Sequence, residues 1–235
     1  MVQNILLKIL LLPFSLIYGF FSFIFNSLYD LKFLDSISFS IPVINIGNLT
    51  VGGSGKTPHT EYLIRLLSPY VKIAVLSRGY KRKTKGFRAV SLKDDVHVAG
   101  DEPLLYKRKY QDIGVYVDVS RSEGIPSILM KKPDTQIILL DDAFQHRKLA
   151  RDVDIVLVDA LCPFGNGHFA PSGILREVPH SLKRADIVVI TKSDQVESHV
   201  LDELRKKLRK WVPDERLFCS KLEITSWSIW NGSWS

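Results

Sequence analysis

The 235 residues suffice for one α/β domain with a small appendage, and 46% hydrophobic against 24% charged residues excludes a disordered chain. Two distant cysteines, Cys162 and Cys219, exclude a disulfide framework and a C-x-x-C zinc site, and point to a reducing compartment. A net charge of +7 calls for an anionic partner, either nucleic acid or lipid headgroups.

No residue from Ile9 to Phe25 is charged. The run is just long enough to cross a bilayer as a helix, Pro13 would bend it, and its aromatic second half also suits the interface. No small-x-small cleavage site follows, which argues against a removed signal peptide. The expectation is a membrane-anchor helix over residues 1–28 and a P-loop domain over 38–212. After a connector over 29–40, apolar strands are expected at Ile41–Ile46, Lys72–Leu76, Gly114–Val119, Ile137–Leu140, Ile155–Val158 and Ile187–Ile190. Helices are expected at His59–Leu67, Asp101–Tyr110, Ser122–Lys131 and Leu201–Trp211. Apolar strands alternating with helices predict an α/β fold with a mostly parallel sheet covered on both faces, its ligands at the carboxyl ends of the strands.

Thr50, Val51, Gly52, Gly53, Ser54, Gly55, Lys56 and Thr57 follow the first strand directly. A strand feeding a glycine-rich turn that ends in Gly-Lys-Thr has the form of a P-loop. The glycines let backbone N–H groups approach phosphates closely, at the positive end of the next helix. Lys56 would reach the β- and γ-phosphates of ATP, and Thr57 would place its hydroxyl on Mg²⁺. The pattern asks for glycine where this chain has Thr50, and a plain Gly/Ser turn is the simpler reading of the same residues.

Asp141 and Asp142 end an apolar strand in the manner of a Walker B carboxylate, and Gln145 and His146 follow closely enough to join the metal's surroundings. Asp101 and Glu102 open a helix; they are either a cap or a base for a substrate hydroxyl. Residues 77–86 form a basic loop on the ligand side of the sheet, suited to an anionic substrate or lipid phosphates. Nucleic acid stays an alternative partner for it, although only Tyr80 and Phe87 offer stacking surfaces near that loop. Arg176 and Glu177, in a long loop, could neutralise transferred charge and support a metal. Thr191-Lys192-Ser193-Asp194 is similar to the element with which GTPases read guanine, so a membrane-associated nucleotide switch is the alternative function.

The ordered set N-L-T-V-G-G-S-G-K-T-P (48–58), L-S-R-G-Y (76–80), G-D-E-P (100–103), D-D-A-F-Q-H (141–146) and G-x-L-R-E (173–177), behind a hydrophobic N-terminus, resembles the tetraacyldisaccharide 4′-kinases. The resemblance implies ATP-dependent phosphorylation of a tetraacyldisaccharide 1-phosphate in lipid A synthesis, at the cytoplasmic face of the bacterial inner membrane. It implies no nucleic acid and no obligatory protein partner beyond inner-membrane lipids. It assigns Asp101 as base, Lys56 and Arg176 to the phosphates, and Thr57, Asp142, Gln145, Asp141, Glu102 and Glu177 to the neighbourhood of Mg²⁺ and the reacting phosphate. Thr50 looks normal for that family. The family also carries a smaller C-terminal lobe, entered through a β-stranded linker, whose histidine assists the aspartate. Residues 213–235 read as the start of that linker or an aberrant tail, which makes a truncated and impaired product the expectation.

Overall fold

The computed structural model describes residues 2–223, with side chains from Ile9 onward; the tryptophan-rich stretch 225–235 lies outside the described residues. Helix α1 (Val2–Asp30) runs continuously through Pro13. Its stretch Ile9–Asp30 has the length and apolarity to cross a membrane, with a mean hydropathy of 1.9. One flank of α1 packs along the body. The Ser172 amide donates to Ser15 Oγ at 2.8 Å, Tyr18 meets Phe169 edge-on, and Arg147 pairs with Asp30 at 2.7 Å. The other flank leaves Phe14, Leu16, Phe20 and Phe23 each at least 60% exposed. A buried core helix does not look like this.

The body is an α/β sheet with helices on both faces. Its strands are β1 (Val43–Asn48), β2 (Ile73–Ser77), β3 (Arg88–Ala89), β4 (Gly114–Val117), β5 (Ile137–Asp141), β6 (Val153–Asp159), β7 (Ile187–Thr191) and β8 (Leu217–Cys219). The order is β3-β4-β2-β5-β1-β6-β7-β8. All neighbours pair in parallel except β3 with β4. β8 carries the sheet past residue 212, the expected end of the domain.

Helices α2 (Lys56–Leu67), α3 (Val96–Ala99), α4 (Asp101–Lys109), α5 (Arg121–Lys131) and α6 (Ser198–Leu208) cover the sheet. Alternate residues of β2 serve opposite faces, as strand geometry requires. Ile73 and Val75 pack with Ile64 and Leu104, while Ala74 and Leu76 pack with Ile125 and Ile128. A third cluster joins Val156, Val158 and Val188 to Leu204 and Leu208 of α6.

The topology positions the site. From β1 the chain crosses to β2 and β4, returns to β5 beside β1, then passes to β6 on β1's other side. That reversal opens a crevice at the carboxyl ends of β1 and β5, where open α/β sheets place their ligands.

Candidate active site

The turn between β1 and α2 is the predicted P-loop. Gly55 caps α2 with φ 86°, and Gly52 has φ 126°; both lie in the region that favours glycine. Gly53 does not, so its freedom is not what the turn requires. Thr50 is buried, bridged to Leu175, and the Val51 amide donates to the Ile174 carbonyl at 2.7 Å, which pins the loop's start to the segment carrying Arg176.

Asn48, the last residue of β1, organises the anion side. Its Nδ2 donates to Ser54 Oγ at 2.7 Å, while its Oδ1 accepts from Lys56 Nζ at 3.4 Å and also from Arg176. Gln145 donates to the Asn48 carbonyl at 2.9 Å. Nothing local marks Asn48 for this role beyond a polar residue closing an apolar strand.

β5 delivers the acids. Asp141 is 1% exposed; Tyr106 donates to its Oδ2 at 3.3 Å, and its buried Oδ1 has no partner among the described residues. Burial, with Glu102 and Asp142 nearby, pushes its pKa up to about 7. Asp142 takes a left-handed φ of 59° and meets Arg176 through both oxygens, at 3.0 and 2.6 Å, with Lys56 Nζ 3.9 Å away. Burial would raise its pKa, but the hydrogen bond and charge of Arg176 outweigh that and hold it below the ordinary carboxylate range.

Glu102 accepts from the Thr57 hydroxyl at 2.9 Å. Asp101 is the first residue of α4, not its cap; the cap is Gly100, whose φ of 91° turns the chain into the helix. The Asp101 carboxylate is exposed and accepts from the Glu102 amide at 3.0 Å.

Of these, Lys56, Asp101, Glu102, Asp141, Asp142, Gln145 and Arg176 line a cleft of about 610 Å³. Tyr18 of α1 and Arg78 and Tyr80 of the β2–β3 loop also line it. Besides Asn48, two contributors went unread in the sequence. Arg121, at the start of α5, is 2% exposed; burial pulls its pKa down to about 10, and its Nε has no partner among the described residues. Tyr106 supports Asp141. His146 lines the same cleft, and burial beside Arg121 and Arg78 pushes its pKa down to about 4, so it stays neutral.

The structure gathers Lys56, Thr57, Asp101, Glu102, Asp141, Asp142, Gln145 and Arg176. It does not bring Glu177 to them. That carboxylate is buried away from the cleft, where it accepts from Asn26 at 3.0 Å and Ser181 at 2.8 Å and pairs with Arg184 at 3.3 Å. In the GTPase-like stretch, Thr191 donates to the Ser54 carbonyl at 3.0 Å and Lys192 pairs with Asp159, while Asp194 is exposed.

The fold and this cleft define a P-loop nucleotide-binding protein, with a basic residue gripping the acid at the end of the neighbouring strand. The family model described as "Tetraacyldisaccharide-1-P 4′-kinase" matches residues 7–224, and the chain belongs to that family. The tetraacyldisaccharide 4′-kinase of Porphyromonas gingivalis is 44% identical over 211 residues, covering 89% of this chain and 59% of the relative. That of Bacteroides fragilis is 48% identical over 183 residues, covering 77% and 49%. The chain therefore spans about half to three fifths of the length of the curated relatives it matches. The crystal structure of the "apo" form of LpxK from Aquifex aeolicus in complex with ATP matches with a TM-score of 0.74 and 40% identity, over 81% of this chain and 60% of that one.

Proposed function

We propose that this chain carries the P-loop part of an ATP-dependent kinase that moves the γ-phosphate to the 4′-hydroxyl of a tetraacyldisaccharide 1-phosphate, at the cytoplasmic face of the inner membrane. One observation supports a lipid acceptor above all. A largely apolar groove of about 410 Å³ runs along α1 past Phe21 and Phe25 and shares Tyr18, Gln145 and Arg176 with the phosphate cleft. An amphiphile whose acyl chains lie along α1 would present its sugar to the P-loop.

In this reading Lys56 and the P-loop amides hold the β- and γ-phosphates, and Arg176 neutralises charge on the moving group. Asp101, exposed at the cleft, accepts the proton of the sugar hydroxyl. Hard oxygens of Thr57, Glu102 and Asp141, whose Oδ1 is buried and unpartnered among the described residues, would suit Mg²⁺ beside the phosphates, but Arg176 takes both oxygens of Asp142 and no group of three acids, histidines or cysteines among the described residues forms a metal site by itself. Gln145 is placed to hold one of its waters, and Glu177 is left out. When bound, the ion would neutralise phosphate charge. Neutral His146 beside Arg121 leaves the acceptor's side of the cleft cationic.

Incubation with γ-labelled ATP and the disaccharide 1-phosphate lipid tests this, beside GTP hydrolysis on the same sample. Label in the lipid supports the kinase. Hydrolysis of GTP with no lipid product would select the switch.

A further inference from the structure

The basic loop between β2 and β3 is not absorbed by the phosphoryl chemistry beyond Arg78 and Tyr80. Its side chains alternate. Arg82 and Thr84 turn inward and fix the loop: Arg82 donates to the Gly86 carbonyl at 2.6 Å, and Thr84 to the Val98 carbonyl at 2.6 Å. The Lys83 amide donates to the His97 carbonyl at 2.7 Å, and Phe87 stacks on Tyr116 with centroids 5.5 Å apart. Lys81, Lys83 and Lys85 are all exposed, as is Tyr80, with Lys81 over its ring. Asp94, the nearest acid in sequence, is already taken by Arg88 at 2.6 Å. The loop is thus a braced platform with three outward ammonium groups.

Its position gives that charge a partner. α1 lies against the body from Ser15 to Asp30, so the bilayer that takes its apolar flank brings headgroups along the side of the body. Tyr80 lines the same cleft as Tyr18 of α1. We propose that Lys81, Lys83 and Lys85 form a second membrane contact, docking on anionic lipid headgroups and setting the cleft mouth against the bilayer surface. Three lysines near an anionic leaflet are each worth roughly fivefold in local attraction, and the effect fades with salt. This rests on α1 being a membrane anchor and is independent of the reaction.

The test uses the full chain in vesicles, with a fluorophore on K83C in a C162S/C219S background. Vesicles of phosphatidylcholine alone are compared with vesicles containing phosphatidylglycerol, using a water-soluble quencher. The proposal expects quenching to fall roughly threefold or more on anionic vesicles, to recover in about 0.5 M salt, and to be insensitive to lipid charge once K81E and K85E are added. Equal quenching on both vesicles, with the protein floating on both, overturns it. Protection by disaccharide 1-phosphate in detergent without vesicles also overturns it, assigning the loop to substrate. Failure to float on either vesicle removes the anchor and the proposal with it, yet leaves the kinase reading standing if lipid is still phosphorylated in detergent.

Discussion

Arg176 holds Asp142 by both carboxylate oxygens, at 3.0 and 2.6 Å, and through Asn48 touches the same residue that binds Ser54 and Lys56. The P-loop and the strand-end acid are thereby joined through a planar, two-pronged cation. Substituting Arg176→Ala should lower kcat about 10²–10³-fold, the usual cost of losing a preorganised charge at the transferring group. Arg176→Lys should recover little, because a point ammonium cannot grip both oxygens. Steady-state phosphorylation with labelled ATP measures both.

Asp141 gives a pH signature. Its folded pKa of about 7 lies above the model-compound value of 3.8, so the folded state binds more protons than the unfolded state between those values. Stability from this group is fully present below about pH 4 and is lost as pH rises to about 7. His146 runs the opposite way, its pKa falling from 6.5 to about 4, so the two slopes oppose each other in one window. Asp141→Asn should remove only the first slope. The stability difference between variant and parent should grow from pH 4 to 7, by on the order of 2–4 kcal/mol, and then level. Urea unfolding at stepped pH reads it.

Tyr106 is fully buried and gives its hydroxyl to Asp141 Oδ2 at 3.3 Å. Tyr106→Phe leaves that oxygen without a donor. Stability should fall by about 1–2 kcal/mol. The Asp141 pKa should rise further, since the lost bond favours the ionised form. The acid limb of the kcat profile should move upward while the affinity for ATP changes little.

At the junction of α1 with the body, Asn26 donates to Glu177 at 3.0 Å, and its Oδ1 accepts from Arg184 at 3.0 Å. Deleting residues 1–26 should release the protein from membranes and lower its Tm, because Glu177 and Arg184 lose a partner. Asn26→Ala should lower Tm alone, by about 1–3 kcal/mol of stability, with flotation unchanged. Vesicle flotation and thermal unfolding separate the two effects.

Much of this was legible in the chain. The apolar runs became β1, β2, β4, β5, β6 and β7 because strands buried on both faces must be continuously apolar. β3 and β8 escaped notice because two and three residues carry no periodicity. The first turn of α4 was legible, but not that Gly100 rather than Asp101 caps it. Glu177 misled through its neighbour: the chain bends at Arg176 and Glu177, and one side chain reaches Asp142 while the other reaches Asn26 of α1. Asn48, Arg121 and Tyr106 owe their roles to contacts distant in sequence, which no local pattern announces.

The central claim is that backbone amides around Ser54 and the Lys56 ammonium hold a nucleotide's terminal phosphates. Equilibrium binding of ATP to the purified chain, with and without Mg²⁺, tests it most directly, beside Lys56→Ala. The account predicts saturable Mg²⁺-dependent binding, weakened about tenfold or more by the substitution with the fold intact. Equal binding by the parent chain and Lys56→Ala, or no binding by the folded parent, would contradict it.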